Sequence, residues 1–324
     1  MFGGAAATLG AAAAPGALAA PATRSIARAA GDLAGGPLPL TIGLGTCLVS
    51  DGDATEQVSL AVDAGYRVFD TAQRYANEAG VGRALRAAIA AGAVRREELF
   101  VTTKVWCDNM GQRATAPSVA RSSQLLDLGP IDLVLIHWPG DFVRRAGATP
   151  DQIARNADLR RATWSELERL QRAGAVRRIG VSNFSERHLR ELLGFAKVRP
   201  AVNQFEIHPY NSRPELVELC EREGIPVEAY SPLGGKGNRG AVTDLLLKDA
   251  TLAKAGRAHG KTPAQVALRW SLQRGITPIP KASSKKRIAE NLDVFDFELT
   301  SEEMRAINSL NRDQFVLFDA DDLA

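Results

Sequence analysis

From residue 40 onward the chain alternates between two hydrophobic rhythms. Short apolar runs, rich in β-branched residues, recur as LTIGLGT (40–46), YRVFD (66–70), ELFVTTK (98–104), IDLVLIH (131–137), RRIGVSN (177–183), AVNQFE (201–206), IPVEAYS (225–231) and ITPIPK (276–281). Between them lie stretches such as DATEQVSLAVDAG, EAGVGRALRAAIAAG, LRRATWSELERLQRAG and ERHLRELLGFAK, whose apolar residues fall at three- and four-residue spacing. Runs of the first kind predict buried strands and those of the second amphipathic helices, with glycine often marking the helix end. Strands alternating with helices predict a parallel sheet covered on both faces. Eight such units fit an α/β fold of the (β/α)8 TIM-barrel type, which takes about 250 residues. The competing doubly wound sheet loses its usual support, because no G-x-G-x-x-G follows the first run.

Each run stops at a polar residue. In YRVFDTAQRY, burial-prone Tyr66, Val68 and Phe69 give way at once to Asp70. A charge at a strand end reaches water or needs a cation, and Lys104 closes the next run. In a closed barrel the carboxyl ends of all strands gather at the face where active sites sit. Asp70, Lys104, His137, Asn183, Glu206, Ser231 and Lys281 would therefore ring one mouth, although any single one could simply meet solvent.

The chemistry of that rim follows from neighbouring strands. Asp70, Lys104 and His137 end strands two, three and four, and Tyr75 follows five residues after Asp70. A carboxylate beside an ammonium keeps the lysine charged, and a charged lysine lowers a nearby phenol's pKa toward a value useful for proton donation. A neutral imidazole would anchor a substrate oxygen. These groups suit addition to a carbonyl, with the nucleophile left open: Lys104 as a Schiff base, or hydride from a nicotinamide. Later strands favour hydride. Ser182, Asn183 and Gln204 suit a flat carboxamide, and Tyr230 offers a ring for stacking. SPLGGKGNRG (231–240) lets backbone approach a diphosphate, and KASSKKRIAEN (281–291) sets four cations before a helix start suited to a phosphate monoester.

Composition narrows the field without changing it. The 324 residues carry a formal net charge of +3, with no basic block that marks a nucleic-acid surface. Three cysteines, none in a C-x-x-C pair, imply neither a disulfide framework nor a zinc site. No metal is expected, no membrane span, and no assembly beyond a monomer or weak homo-oligomer. Residues 1–36, uncharged from Met1 to Thr23, read as a low-complexity tail ahead of a single barrel over 37–324. A cytoplasmic location fits best. The alternative is an exported protein whose signal has its basic region upstream of Met1.

The stretches GYRVFDTAQRYANEAGVGRAL, LFVTTKVW, IDLVLIHWP, IGVSNF, VNQFEIHPY, AYSPLG and IPKASSKKRIAENLDVFDFELT, in this order, closely resemble the aldo-keto reductase family over residues 40–311. Within it the chain looks most like the bacterial 2,5-diketo-D-gluconate reductase-type members. The resemblance implies an NADPH-dependent barrel enzyme that reduces aldehydes and ketones, with NADH as a weaker alternative. It casts Tyr75 as general acid, Lys104 and Asp70 as its tuning pair, and His137 as the carbonyl anchor. It implies that Gly45, Thr46, Ser182, Asn183, Gln204 and Tyr230 hold the nicotinamide end, and Ser231 and Leu233 the diphosphate. Lys281 and Arg287 would grip a 2′-phosphate, with Glu290 and Asn291 near adenine. A nucleotide-sensing regulatory subunit with little turnover is the alternative from another class.

Three departures from the family pattern matter. Ala282 replaces a common serine, removing a hydrogen bond to phosphate worth roughly 1.5–3 kcal/mol, which Ser283, Lys285 or Lys286 would have to replace. Cys47 stands where an aromatic residue is common and widens the pocket, while Trp106 and Trp138 would wall it. The hairpin that closes the barrel floor shrinks to AGGPLPLTIG. Elsewhere, His188 and His259 are expected to be solvated, His208 structural, Trp164 and Trp270 packing residues, and the acidic tail FDADDLA solvated at the pocket edge.

Overall fold

In the computed structural model, residues 40–237, 240–317 and 319–324 are described; the tail expected over residues 1–36 and most of the floor hairpin lie outside them. Eight parallel strands run in sequence order: β1 (Leu44–Gly45), β2 (Val68–Asp70), β3 (Phe100–Val105), β4 (Ile131–Ile136), β5 (Val176–Ser182), β6 (Asn203–Glu206), β7 (Val227–Tyr230) and β8 (Ile276–Pro278). Each pairs with the next through a parallel ladder. Main-chain hydrogen bonds from Gly43 N to Pro278 O and from Gly45 N to Pro280 O, both 3.0 Å, join the first strand to the last. The barrel is closed.

That closure is why β1 ends in a glycine. A Cβ at Gly45 would sit 2.9 Å from the Ile279 carbonyl oxygen, so only glycine lets the two backbones approach. β1 itself has two residues, where the apolar run spans seven.

Helices α1 (Asp51–Ala64), α2 (Glu78–Ala90), α3 (Thr115–Leu126), α4 (Pro150–Arg172), α5 (Glu186–Leu193) and α6 (Pro214–Arg222) follow the first six strands. The seventh is followed by the short α7 (Val242–Leu246), then α8 (Ala250–His259) and α9 (Pro263–Gln273), and the eighth by α10 (Lys285–Leu292) and α11 (Ser301–Asn308). Their limits have local causes. Ser50 caps α1 by accepting from Asp53 N, and Gly65 ends it in the left-handed region at φ 101°. The α4 helix starts nine residues before the apolar periodicity does. There Thr149 and Gln152 form a capping box around Pro150, a signal in side-chain chemistry rather than in hydrophobic spacing.

Two apolar layers hold the molecule together. Val68, Phe100, Leu133, Leu135 and Val202 plug the barrel interior. A larger layer lies between sheet and helices and contains Trp164 of α4 and Trp270 of α9, both with no exposed surface. Each large apolar side chain so buried contributes roughly 1.5–3 kcal/mol. Above the plug, toward the strands' carboxyl ends, the interior turns polar.

Two histidines depart from expectation. His188 is fully buried, because its Nδ1 closes a capping box with Ser185 at the start of α5. Burial and then Arg187, Arg160 and Arg145 lower its pKa to about 2. His259 likewise faces Glu303 of α11 at 3.0 Å rather than open solvent. Sequence spacing put both on polar helical faces, but later segments of the chain cover those faces. Among the described residues no helix is long and apolar enough to cross a membrane.

Candidate active site

The carboxyl-terminal mouth of the barrel collects the polar strand ends. Asp70 is the last residue of β2, Lys104 the penultimate of β3, and His137 directly follows β4. Lys104 is 1% exposed; its Nζ donates to Asp70 Oδ1 at 2.5 Å, to Thr71 O at 3.1 Å and to the Tyr75 hydroxyl at 3.2 Å. A buried ammonium is tolerable here because an ion pair and two further acceptors replace its water shell. Tyr75 arrives on a short 3-10 turn, Gln73–Tyr75, that ends at Ala76 in the left-handed region, φ 54°. Its ring meets His137 edge-on, with centroids 5.6 Å apart.

The electrostatics agree with expectation at one group and differ at another. Burial, and then the Lys104 cation, hold the His137 imidazole well below its ordinary pKa, so it is neutral. Its Nδ1 is buried with no partner among the described residues. The cheaper tautomer leaves that nitrogen as a lone pair and puts the proton on Nε2. The Tyr75 phenol, expected to be lowered, is instead raised well above its usual value, by burial first and then by Asp70 and Cys47. Burial dominates, and the Lys104 cation does little to offset it because Asp70 already matches that charge at 2.5 Å.

The second half of the rim is knitted together. Asn183, at φ 61°, donates to His137 O at 2.9 Å and to Ser182 Oγ at 3.1 Å, and its Oδ1 accepts from the Tyr230 hydroxyl at 2.7 Å. The Gln204 Nε2 donates to Asp70 Oδ2, 2.9 Å away. Non-glycine residues with positive φ cluster in these loops, with Leu48, Asn183, Arg213 and Ser231 following β1, β5, β6 and β7. Such conformations persist only where surroundings hold them, and functional sites are where they concentrate.

Cys47 is exposed at the mouth, close enough to Tyr75 for the two groups to shift each other's pKa. Trp106 meets His137 edge-on at 5.1 Å, and Phe142 packs against Trp106 and Trp138 at 5.5 and 5.4 Å. Cys107, Trp138 and Leu323 form one apolar cluster with Trp106, Leu317 and Ala320 beside it. The tail therefore edges the pocket. Its aspartates are not simply solvated: Asp319 pairs with Arg213 at 3.0 Å and Asp322 with Arg144 at 3.1 Å.

Around the start of α10 the cations are gathered more loosely. Lys281, Lys285, Lys286 and Arg287 are exposed. Ser284 caps the helix, and the Arg287 guanidinium lies 3.3 Å from Ser284 Oγ and 3.5 Å from Ser283 Oγ. Ala282 is buried. Glu290 accepts from Thr262 at 2.8 Å and the Tyr66 hydroxyl donates to Ile288 O at 3.2 Å, which fastens α10 to its neighbours; Asn291 on the same helix is buried. The Thr46 hydroxyl turns inward to Asp70 O at 2.9 Å, and Leu233 and Ser231 are partly exposed in the loop after β7.

Pattern reading missed two supports, Gln73 and Asn77, and the partners of a third, Glu206. Gln73 accepts from Trp106 N at 3.0 Å and from Asn109 at 2.8 Å. Asn77 ties Thr71 to the backbone of Thr46 and Val49. Buried Glu206 accepts from the backbone N–H groups of Val316, at 2.6 Å, and Leu317, at 3.2 Å. Polar type alone gives no sign of these partners, most of which lie far away in sequence.

A closed (β/α)8 barrel whose mouth joins a carboxylate, an ammonium, a phenol and a neutral imidazole is chemically able to do acid–base work on a carbonyl. The profile of the aldo/keto reductase family matches residues 41–312, and the chain belongs to that family of oxidoreductases. It is 44% identical over 283 residues to the 9,11-endoperoxide prostaglandin H2 reductase of Trypanosoma cruzi, covering 86% of this chain and 90% of that protein. It is 42% identical over 282 residues to the glyoxal reductase of Bacillus subtilis, covering 87% and 92%. Among solved structures, the Bombyx mori aldo-keto reductase in complex with NADP superposes with a TM-score of 0.77 at 37% identity, over 88% of this chain and 92% of that one.

Proposed function

We propose that the protein reduces aldehydes and ketones to alcohols, using NADPH in preference to NADH and Tyr75 as proton donor. The observation that carries this reading is the contact chain Asp70–Lys104–Tyr75, at 2.5 and 3.2 Å, opening beside a neutral His137. The residues around it fit a nicotinamide cofactor. Asn183, Ser182 and Gln204 supply amide and hydroxyl groups at one level of the barrel, and Tyr230, its hydroxyl already held by Asn183, keeps its ring for stacking. Gly45 carries no side chain on the wall beside them. Ser231 and Leu233 would meet the diphosphate. Lys281 before α10 and Arg287 in its first turn suit a phosphate monoester, with Glu290 and Asn291 further along the same helix toward the adenine.

Bound there, the cofactor supplies a hydride to the carbonyl carbon. His137 Nε2–H holds the carbonyl oxygen, Tyr75 delivers a proton to it, and Lys104, held in place by Asp70, stabilises the phenolate left behind. A phenol held high keeps its proton at neutral pH, so the donor form is the one present before the hydride arrives. Trp106, Trp138, Cys47 and the tail exclude water from the reacting face. Glyoxal and small aldehydes are the substrates to try first, given the glyoxal reductase relative. The test follows NADPH and NADH absorbance over a carbonyl panel, comparing parent protein with Tyr75→Phe. Undiminished turnover in Tyr75→Phe sinks the assignment. Tight nucleotide binding without turnover in the parent would instead favour the sensing subunit.

A further inference from the structure

Beneath the rim lies a buried carboxylate for which the reading above has no use. Glu228 is in the middle of β7, is 4% exposed, and points into the barrel opposite Gln204 of β6. Its Oε2 accepts from Gln204 Nε2 at 2.9 Å, and that same nitrogen donates to Asp70 Oδ2 at 2.9 Å. One amide NH2 therefore bridges two carboxylates. An amide nitrogen has two hydrogens, so both are committed, and an amide flipped the other way would set its oxygen against the Asp70 carboxylate. Both hydrogen bonds run through Nε2, so Oε1 is the polar atom of Gln204 that they leave over. The remaining polar atom of this side chain is an acceptor. It matches an N–H donor, such as the amide hydrogens of a nicotinamide carboxamide, and not the carboxamide oxygen.

We propose that Glu228 is a positioning residue: by taking the second hydrogen of the Gln204 amide it locks that amide with Oε1 toward the cofactor, so that the site selects a ring substituent carrying an N–H. This rests on the reading of the mouth as a nicotinamide site. Without Glu228, Gln204 keeps only its bond to Asp70, and rotation about that bond misplaces Oε1. A glutamine at 228 can still accept the amide hydrogen through its own oxygen; a leucine cannot.

The test is binding, not turnover. NADPH and its reduced 3-acetylpyridine analogue, whose acetyl group has no N–H, are titrated by tryptophan fluorescence against parent, Glu228→Gln and Glu228→Leu, with melting curves to show that each is folded. The parent is expected to prefer NADPH over the analogue by about tenfold, the equivalent of one hydrogen bond. Glu228→Leu should lose most of that preference by weakening NADPH alone, and Glu228→Gln should restore it. An unchanged preference in Glu228→Leu, or no rescue by Glu228→Gln, overturns the proposal while leaving carbonyl reduction intact. Full nucleotide selectivity with no carbonyl turnover in the parent would overturn the function and keep Glu228 in its role. A parent that binds neither nucleotide removes both.

Discussion

Breaking the Asp70–Lys104 pair tests the geometry without any substrate. The two groups approach to 2.5 Å with side chains 5% and 1% exposed. At an effective dielectric constant of about 20 their attraction is about 7 kcal/mol, offset by the cost of desolvating both. Lys104→Met leaves Asp70 buried with only the Gln204 amide, and Asp70→Asn leaves the ammonium without its counter-charge. Each single change should therefore cost about 3–5 kcal/mol. The double variant buries no unpaired charge and should lie within about 1–2 kcal/mol of the parent. Guanidinium unfolding of the four proteins at one pH gives the cycle directly, read as midpoint times slope. The expected result is strong non-additivity, with the double variant more stable than either single one. A double variant as unstable as the two singles summed would mean that the ion pair contributes nothing specific, and the reasoning that ties Tyr75 to a held lysine would fail.

Further predictions follow from single groups. Burial raises Glu228 from 4.5 to about 7, against the Gln204 hydrogen bond, with Asp70 and Lys104 the charged groups facing it. The protonated form is thus favoured in the fold: its contribution is complete below pH 4.5 and fades as pH rises through about 7, by up to about 3 kcal/mol. Unfolding of parent and Glu228→Gln at pH 5 and 7.5 should show that slope only in the parent. His137, held neutral, should show proton resonances unmoved between pH 8 and 5.5, since its folded pKa lies well below 6.5; a midpoint inside that window would contradict the burial argument. Gly45→Ala must push β1 away from Ile279 O and should cost about 1–3 kcal/mol, seen as a lowered melting temperature. Cys47→Trp should raise KM for bulky ketones while sparing small aldehydes, in a substrate-length series.

The strands, and the ring of polar groups they end in, were legible because burial writes itself into short apolar runs and each run stops where the barrel opens. Asp70, Lys104 and His137 were found that way, and Tyr75 by its distance from Asp70. Tyr75's raised pKa was not legible, since it depends on how completely Asp70 matches Lys104 and on how dry the phenol is. Nor was the burial of His188, because residues 321–323, more than 130 positions away, help cover it. Gln204 illustrates the limit of residue type: an amide on the right strand was visible, but which of its atoms faces the ligand depends on Glu228, a neighbour chosen by register.

Glu206 holds the tail by its main chain. The N–H groups it grips at residues 316 and 317 are supplied by every amino acid except proline, so attachment of this segment does not depend on what its side chains are. The pocket edge can thus be rewritten residue by residue while staying moored. Substrate preference is free to drift here with little penalty to the barrel beneath.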